Sequence, residues 1–514
     1  VSKYDVIVVG AGSAGAALAA RLSEDPARSV LLLEAGPDFA TVDQTPPDLL
    51  DGSVMSMVRH DWRYRAAIVD GRRVLYPRGR VTGGSSAVGA TIALRGVPGD
   101  FEAWAAAGAA GWGWSDVLPY YQRLEDDLDL PGEYHGSGGP VPIRRWRPEE
   151  LTALQRAFLE TCLAAGYPEV KDHNDPQATG VGAIPSNRRD AHVRVSTAMA
   201  YLTEARLRPN LTIRPDSLVH RIAFDGNRAT GVEVSGHDGG APELVEAGEV
   251  VLSAGALGTP ALLLRSGIGP AEELRRHAID ARLELSGVGR NLADHPRSGV
   301  FMTPQPGSWE RTDPFLQTIL RTTSAGSDRF NDLQFYGVNH FDLTLFPELQ
   351  MLGGAPVILG VMVVHQKPQA RGTVLLSSAD PAAAPTVDLN FLSTERDAQV
   401  LIEAVRTCWE LVHAGGIRDF GEDFVVLGEK IIKNDAMVLQ YVRLSLDSGY
   451  HPVGTARMGA APEDGAVVDG QCRVFGAEGL RIADASVMPE IVSCNTNLTS
   501  IMIGERVADW IRAA

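Results

Sequence analysis

The sequence predicts an α/β fold with a Rossmann-like dinucleotide-binding domain. Three observations in its first 34 residues predict it. Residues 4–9 form a β-rich apolar run that feeds directly into Gly10-Ala11-Gly12-Ser13-Ala14-Gly15. A helical stretch at 16–22 and a second apolar strand at 30–33 follow. Glu34 then ends that strand 19 residues beyond Gly15.

Each position in this unit has a physical task. Gly10 permits a tight turn, Gly12 lets the backbone approach a pyrophosphate, and Gly15 allows the helix to close on the strand. Ser13 and Ala14 open the helix, whose unpaired N–H groups and positive dipole end face the phosphates. Glu34, followed by Ala35, stands where a carboxylate accepts hydrogen bonds from an adenosine ribose. This unit alone fits NAD and FAD equally.

Composition bounds the remainder. The chain has 514 residues with 47 basic and 64 acidic side chains, a formal charge of −17. At 44% hydrophobic and 22% charged it is an ordinary globular mixture, long enough for two or about three domains. The acidic balance argues against nucleic acid and anionic membrane, which reward clustered Lys and Arg. Cys162, Cys408, Cys472 and Cys494 lie far apart without metal-ligand spacing, so no metal site or disulfide framework is expected, as in a reducing cytoplasm. No signal-peptide pattern opens the sequence, and no apolar run reaches the ~18 residues of a membrane span. The longest, around 355–364, reads as a buried strand.

A second glycine-rich stretch, Arg78-Gly79-Arg80-Val81-Thr82-Gly83-Gly84-Ser85-Ser86-Ala87-Val88, follows Asp61-Trp62-Arg63-Tyr64. Its bare backbone and paired hydroxyls suit a second phosphate or the face of a flat ring; a surface loop is the alternative. With this stretch the chain resembles the glucose-methanol-choline (GMC) oxidoreductases. Further blocks carry the resemblance: Gly255-Ala256-Leu257-Gly258-Thr259-Pro260 through Gly269, Val288-Gly289-Arg290-Asn291-Leu292-Ala293-Asp294-His295, and Gln369-Ala370-Arg371-Gly372-Thr373 with Asp388-Leu389-Asn390. His451-Pro452-Val453-Gly454-Thr455 and Ala483-Asp484-Ala485-Ser486-Val487-Met488-Pro489 complete it.

The resemblance implies FAD. It places Trp62, Arg80, Gly83, Gly84 and Ser85 along the cofactor, together with Val219 and Ala254. Asp484, Ala485 and Asn497 join them from the C-terminal blocks. Val88 stands where family members that attach flavin covalently have His, so noncovalent FAD is expected. Thr82 replaces a usual aliphatic residue, and Gly89 replaces a usual Asn or His, so a wider pocket or an altered flavin reactivity is expected.

The resemblance also makes His451 and Asn495 the catalytic pair. A neutral imidazole, of unperturbed pKa about 6.5, can take a hydroxyl proton near neutral pH. Asn495 can hold the same oxygen by hydrogen bonding and align the reacting C–H bond.

The implied architecture is discontinuous. Residues 1–150, 195–300 and 445–514 form the FAD-binding domain, and 151–194 with 301–444 an α+β substrate domain on an antiparallel sheet. Strands at 333–338, 357–364 and 373–377 are expected there, covered by helices at 396–414 and 435–443. Phe335, His365 and Tyr450 are substrate-lining candidates, with His340 and Met362 as weaker ones.

The expected function is FAD-dependent oxidation of a small-molecule alcohol to a carbonyl. The alcohol is expected to be primary and aromatic or heteroaromatic, with O2 or another acceptor reoxidising the flavin. The alternatives are a non-redox enzyme resembling hydroxynitrile lyases, a tailoring oxidoreductase acting on a larger natural product, and a flavin-binding protein without activity.

Overall fold

In the computed structural model, residues 3–236, 240–345, 350 and 354–513 are described. A mixed, mainly parallel sheet organises the first layer. Strand Glu243–Leu252 lies at its centre, parallel to Lys3–Val9 on one side and to Leu480–Ile482 on the other, with Val8 opposite Val251 and Leu252 opposite Ile482. Val30–Leu33 and Leu211–Arg214 continue the parallel order outward. Arg228–Ser235 and Leu218–Asp225 extend the other edge as antiparallel strands.

The central strands are apolar on both faces because both faces are covered. Val6 to Val9 and Val30 to Leu33 are all buried. Helix Ser13–Leu22 covers one face, and helix Asn497–Ala513 packs on it. Gly504 permits that approach, since a Cβ there would sit 2.3 Å from the Ala14 carbonyl oxygen.

A second sheet is antiparallel, in the order Gly421–Phe424, Pro296–Pro304, Val357–His365, Leu333–Asp342, Thr318–Thr322, Gly180–Ala183. Helices Ala153–Ala164, Glu395–Ala414 and Asp435–Ser445 lie against it. Its two faces enter two different cores. Phe335, Val361 and Val363 pack with Phe158, Leu401 and Val405 under these helices, whereas Tyr336, Val338, Met362 and Val364 join the core of the first sheet.

One expected strand belongs elsewhere. Thr373–Leu375 pairs with Thr386–Asp388 in a separate four-stranded sheet, completed by Arg65–Val69 and Arg72–Leu75, and not with the antiparallel sheet. The two strands that complete this sheet lie some three hundred residues earlier in the chain, beyond the reach of local pattern. A small sheet of Glu125–Asp127, Val141–Arg145 and Pro185–Ser186 completes the framework. No helix among the described residues is long and apolar enough to cross a membrane.

Candidate active site

One long cavity runs between the parallel sheet and the antiparallel sheet, from Gly10 and Glu34 at one end to His451 and Asn495 at the other. Its first end is the glycine turn. Gly10 adopts φ +105°, and a Cβ there would meet the Ser253 carbonyl oxygen at 2.4 Å. A Cβ on Gly15 would lie 1.9 Å from the Gly10 oxygen, so Gly15 serves the packing of helix on strand. At Gly12 the nearest atom to such a Cβ is Gly84 Cα at 3.9 Å, which leaves an open cradle at the N-terminus of helix Ser13–Leu22. That cradle, with its free N–H groups, has the shape and polarity of a pyrophosphate site.

Glu34 closes this end. Its carboxylate accepts from Ala11 N at 3.0 Å and Gly36 N at 2.9 Å. Burial pushes its pKa up to about 7, opposed by those two N–H groups. Asp484 is held similarly: Thr259 Oγ1 donates to it at 2.6 Å, Gly255 N at 2.9 Å and Ser486 N at 2.8 Å. It therefore caps the turn Ala485–Val487 and ties it to helix Gly255–Arg265 while facing the cavity. Ser13 Oγ donates to Asn497 Oδ1 at 2.8 Å, joining the two helix starts across the cradle.

The second glycine stretch folds back on the first. Gly83 N donates to Ala11 O at 2.7 Å, and a Cβ on Gly84 would lie 2.7 Å from Gly12 Cα. Beneath the loop lies Arg194, fully buried. Its guanidinium donates to the carbonyls of Leu49 at 2.8 Å, Ala87 at 2.9 Å and Gly89 at 3.1 Å, clamping residues 87–89 against the cavity.

The far end carries the expected pair, His451 and Asn495. His451 Nε2 lies 3.1 Å from Asn495 Nδ2, and both residues are half-buried in the cavity wall. The desolvated setting drives the His451 pKa down to about 3, and the nearby Arg78 and Arg297 guanidiniums push the same way. Its backbone N–H donates to Asp294 Oδ1 at 2.8 Å, while Asp294 Oδ2 accepts from Ser448 Oγ at 2.5 Å and from the Tyr76 hydroxyl. Tyr450 precedes it at φ +64°. The Tyr450 hydroxyl donates to Asp447 Oδ2 at 3.1 Å and accepts from Arg297 Nη2 at 3.1 Å. A neutral imidazole beside a carboxamide, at the end of a cradle for a dinucleotide, can take a proton from a hydroxyl group and hold its oxygen.

The comparisons with known proteins agree with this layout. Residues 4–297 and 368–504 each match a GMC oxidoreductase family model. The chain belongs to the GMC oxidoreductase family. It is similar to an oxygen-dependent choline dehydrogenase of Escherichia coli, 35% identical over 545 residues, covering 99% of this chain and 96% of the relative. Its structure is similar to that of pyridoxine 4-oxidase from Mesorbium loti, with a TM-score of 0.90, 31% identity and 99% of each chain covered. An FAD-dependent oxidoreductase from Chaetomium thermophilum superposes with a TM-score of 0.86 at 26% identity, over 99% of each chain.

In this GMC oxidoreductase most sequence-predicted site residues line the one cavity: Gly10, Gly12, Ser13, Ala14, Glu34, Ala35, Trp62, Gly84, Ser85, Val219, Ala254, Asp484, Ala485, Asn497, Tyr450, His451 and Asn495. Gly15, Gly83 and Arg80 stand behind the wall. Arg80 lies over the Trp62 ring, 5.0 Å from its centroid, and donates to Ala35 O at 3.2 Å. Phe335 and His365 are corrections. They sit on the helix-covered face of the antiparallel sheet, one residue out of phase with the cavity. The cavity is instead lined by their neighbours Gln334, Tyr336 and Val364, and by Met362. His340 is also away from it, 2.9 Å from the Asp313 carbonyl. Sequence reasoning missed Arg297, Gln334, Tyr336 and Arg194; Arg297 alone carried a signal, two residues after His295 in a recognised block.

Glu125, Asp127 and His135 cluster closely enough to suggest a metal site elsewhere. The ring nitrogens of His135 are already engaged, with Asp127 at 3.0 Å, Glu125 at 3.1 Å and Asp172 at 2.9 Å, and those carboxylates raise its pKa to about 11. Arg145 binds Asp127 and Asp172 as well. With Arg95 paired to Glu125, the cluster is an ion network in which His135, Arg145 and Arg95 face Glu125, Asp127 and Asp172.

Proposed function

We propose that this protein oxidises an uncharged, primary alcohol, aromatic or heteroaromatic, to the corresponding aldehyde, using noncovalently bound FAD. The observation that carries the reading is the convergence of His451 Nε2 and the Asn495 amide, 3.1 Å apart, in the same cavity as the Gly12 cradle. FAD, when bound, supplies the hydride acceptor. The cradle fits its pyrophosphate, and Glu34 fits its ribose. In the cavity-lining loop 84–91 the only side-chain nucleophiles are the hydroxyls of Ser85, Ser86 and Thr91, which supports a noncovalent cofactor.

His451 takes the hydroxyl proton at Nε2. Asn495 donates to the same oxygen, holding it as negative charge develops, and so orients the carbon-bound hydrogen. Arg78 adds positive field to this end of the cavity and favours that charge, while Arg297 is paired with Asp447.

The wall supports the substrate class. Phe315, Leu316, Tyr336, Met362 and Tyr450 are apolar or aromatic, and the charged groups among them are guanidiniums. Of the described residues lining the cavity, Glu34 and Asp484 are the only acids, and both bind backbone at the glycine turns. Asp447 is spent on Arg297, which it pairs at 2.5 Å, so a quaternary ammonium group would meet no unpaired carboxylate at the His451 end. The test is anaerobic flavin bleaching by benzylic, pyridine, furan, aliphatic and choline-type alcohols, followed by air. Bleaching by an aromatic alcohol and not by choline is expected. Bleaching by none, or by choline alone, would overturn the reading. The rate of recovery in air separates oxidase from dehydrogenase.

A further inference from the structure

Behind His451 lies a second histidine that the catalytic pair does not include. His295 is buried, and its Nδ1 lies 3.0 Å from His451 Nδ1, the rings meeting edge to face. Its Nε2 lies 3.1 Å from the Val492 carbonyl oxygen. That oxygen can only accept, so the Nε2 of His295 carries a proton. A neutral ring has one proton, which leaves Nδ1 of His295 as a lone pair. The facing Nδ1 of His451 must then donate, and Nε2 of His451 is left bare toward the cavity. The donor on that side agrees: the Asn495 amide N–H₂ group faces the same Nε2.

We propose that His295 is a positioning residue that fixes His451 in the Nδ1–H tautomer, so that Nε2 is the atom free to accept the substrate proton. This rests on the reading of His451 as base. Asp294, the carboxylate next to His295, does not fill the role, because it binds the His451 backbone N–H and not its ring. Gly449 makes room for the arrangement, since a Cβ there would lie 3.1 Å from His451 Nδ1 and 3.2 Å from His295 Cβ. When Nε2 takes the proton, the charged ring still donates from Nδ1 to His295, now by the stronger charge-assisted bond. A base held in the wrong tautomer elsewhere costs up to about 10⁴-fold in rate.

Neutron diffraction on the parent holoenzyme reads the tautomer without a variant: deuterium is expected on Nδ1 of His451 and on Nε2 of His295. Deuterium on Nε2 of His451 overturns the proposal. In kinetics, His295→Leu is expected to keep its flavin absorbance and substrate KM while the rate of flavin reduction falls about 100-fold. His295→Asn, whose Oδ1 can replace the lone pair of Nδ1, is expected to recover most of that loss. A leucine variant within twofold of the parent, or an asparagine variant as slow as the leucine one, overturns the positioning role. Failure of the base reading shows differently, as unchanged turnover in His451→Ala with the deuterium still on Nδ1 in the parent.

Discussion

His451 Nε2 and Asn495 Nδ2 stand 3.1 Å apart although 44 residues separate them, because the strand Leu480–Ile482 and the capped turn after it return the chain to the cavity. Neither group is needed to hold the cradle. His451→Ala is therefore expected to purify yellow and to lose about 10²- to 10⁴-fold in the rate of flavin reduction. Asn495→Ala should lose less, with a raised KM. Stopped-flow reduction under nitrogen measures both, and a His451→Ala rate near the parent's would remove the base assignment.

Gly12→Val places two methyl groups in the cradle, between the glycine turns. The protein is expected to fold, since no atom lies within 3.9 Å of the first added carbon, and to purify without flavin. Normal flavin content in this variant would show that the phosphates lie elsewhere.

The pH dependence follows from the depressed pKa of His451. Its folded value of about 3 lies below the unfolded value of about 6.5. Above about 6.5 both states are neutral, and the group contributes no pH dependence. As pH falls from about 6.5 toward 3, the unfolded chain binds a proton that the native site refuses, so this group costs stability there. The same shift keeps the base neutral in the neutral range. The rate of flavin reduction should be flat between about pH 6 and 8. An acid limb centred near 6.5 would contradict this.

Gly89 lines the cavity, and an added Cβ would touch only the Ser85 oxygen at 3.2 Å. Gly89→Asn should fold and bind FAD normally while discriminating against bulky alcohols. The ratio of kcat/KM for a large and a small aromatic alcohol reads this out; an unchanged ratio would show that position 89 does not bound the substrate.

Thr82 is buried, and its Oγ1 has no hydrogen-bond partner among the described residues. Thr82→Val keeps the shape and removes an unsatisfied hydroxyl, so a gain of about 1 kcal/mol is expected. A lower Tm in thermal melts would show that the hydroxyl is satisfied in solution.

The cofactor end was legible in the sequence because its determinants are local. Gly10, Gly12, Gly15 and Glu34 lie within one strand-turn-helix-strand unit, whose geometry dictates residue type at each step. The proposed pair, His451 and Asn495, is singled out in the sequence only by the blocks surrounding it, and the two residues do meet in the cavity. Of the substrate wall, only Tyr450 and Met362 were legible. Strands Leu333–Asp342 and Val357–His365 are buried on both faces, so apolar residues occupy both phases, and the polar Gln334 alone marks the cavity side at the start of the first. Phe335 and His365 were thus chosen one residue out of step with Tyr336 and Val364. The strand at Thr373–Leu375 was recognisable, but its sheet was not, because the sheet is completed by strands from 65–75 that pair beyond its neighbour Thr386–Asp388.

The bond between Ser13 and Asn497 spans 484 positions, and Arg21 reaches Glu505 over the same interval. At about 5–20 residues per second, a ribosome takes roughly half a minute or more between making the two ends of that clasp. Through that interval the nascent glycine turn lacks the helix that will cover it, and the strand Glu243–Leu252 lacks Leu480–Ile482. Cofactor capture is then expected only once the helix from Asn497 has been made. Chains arrested before residue 497 should emerge colourless, and flavin retained by such arrested chains would show that loading begins on the ribosome.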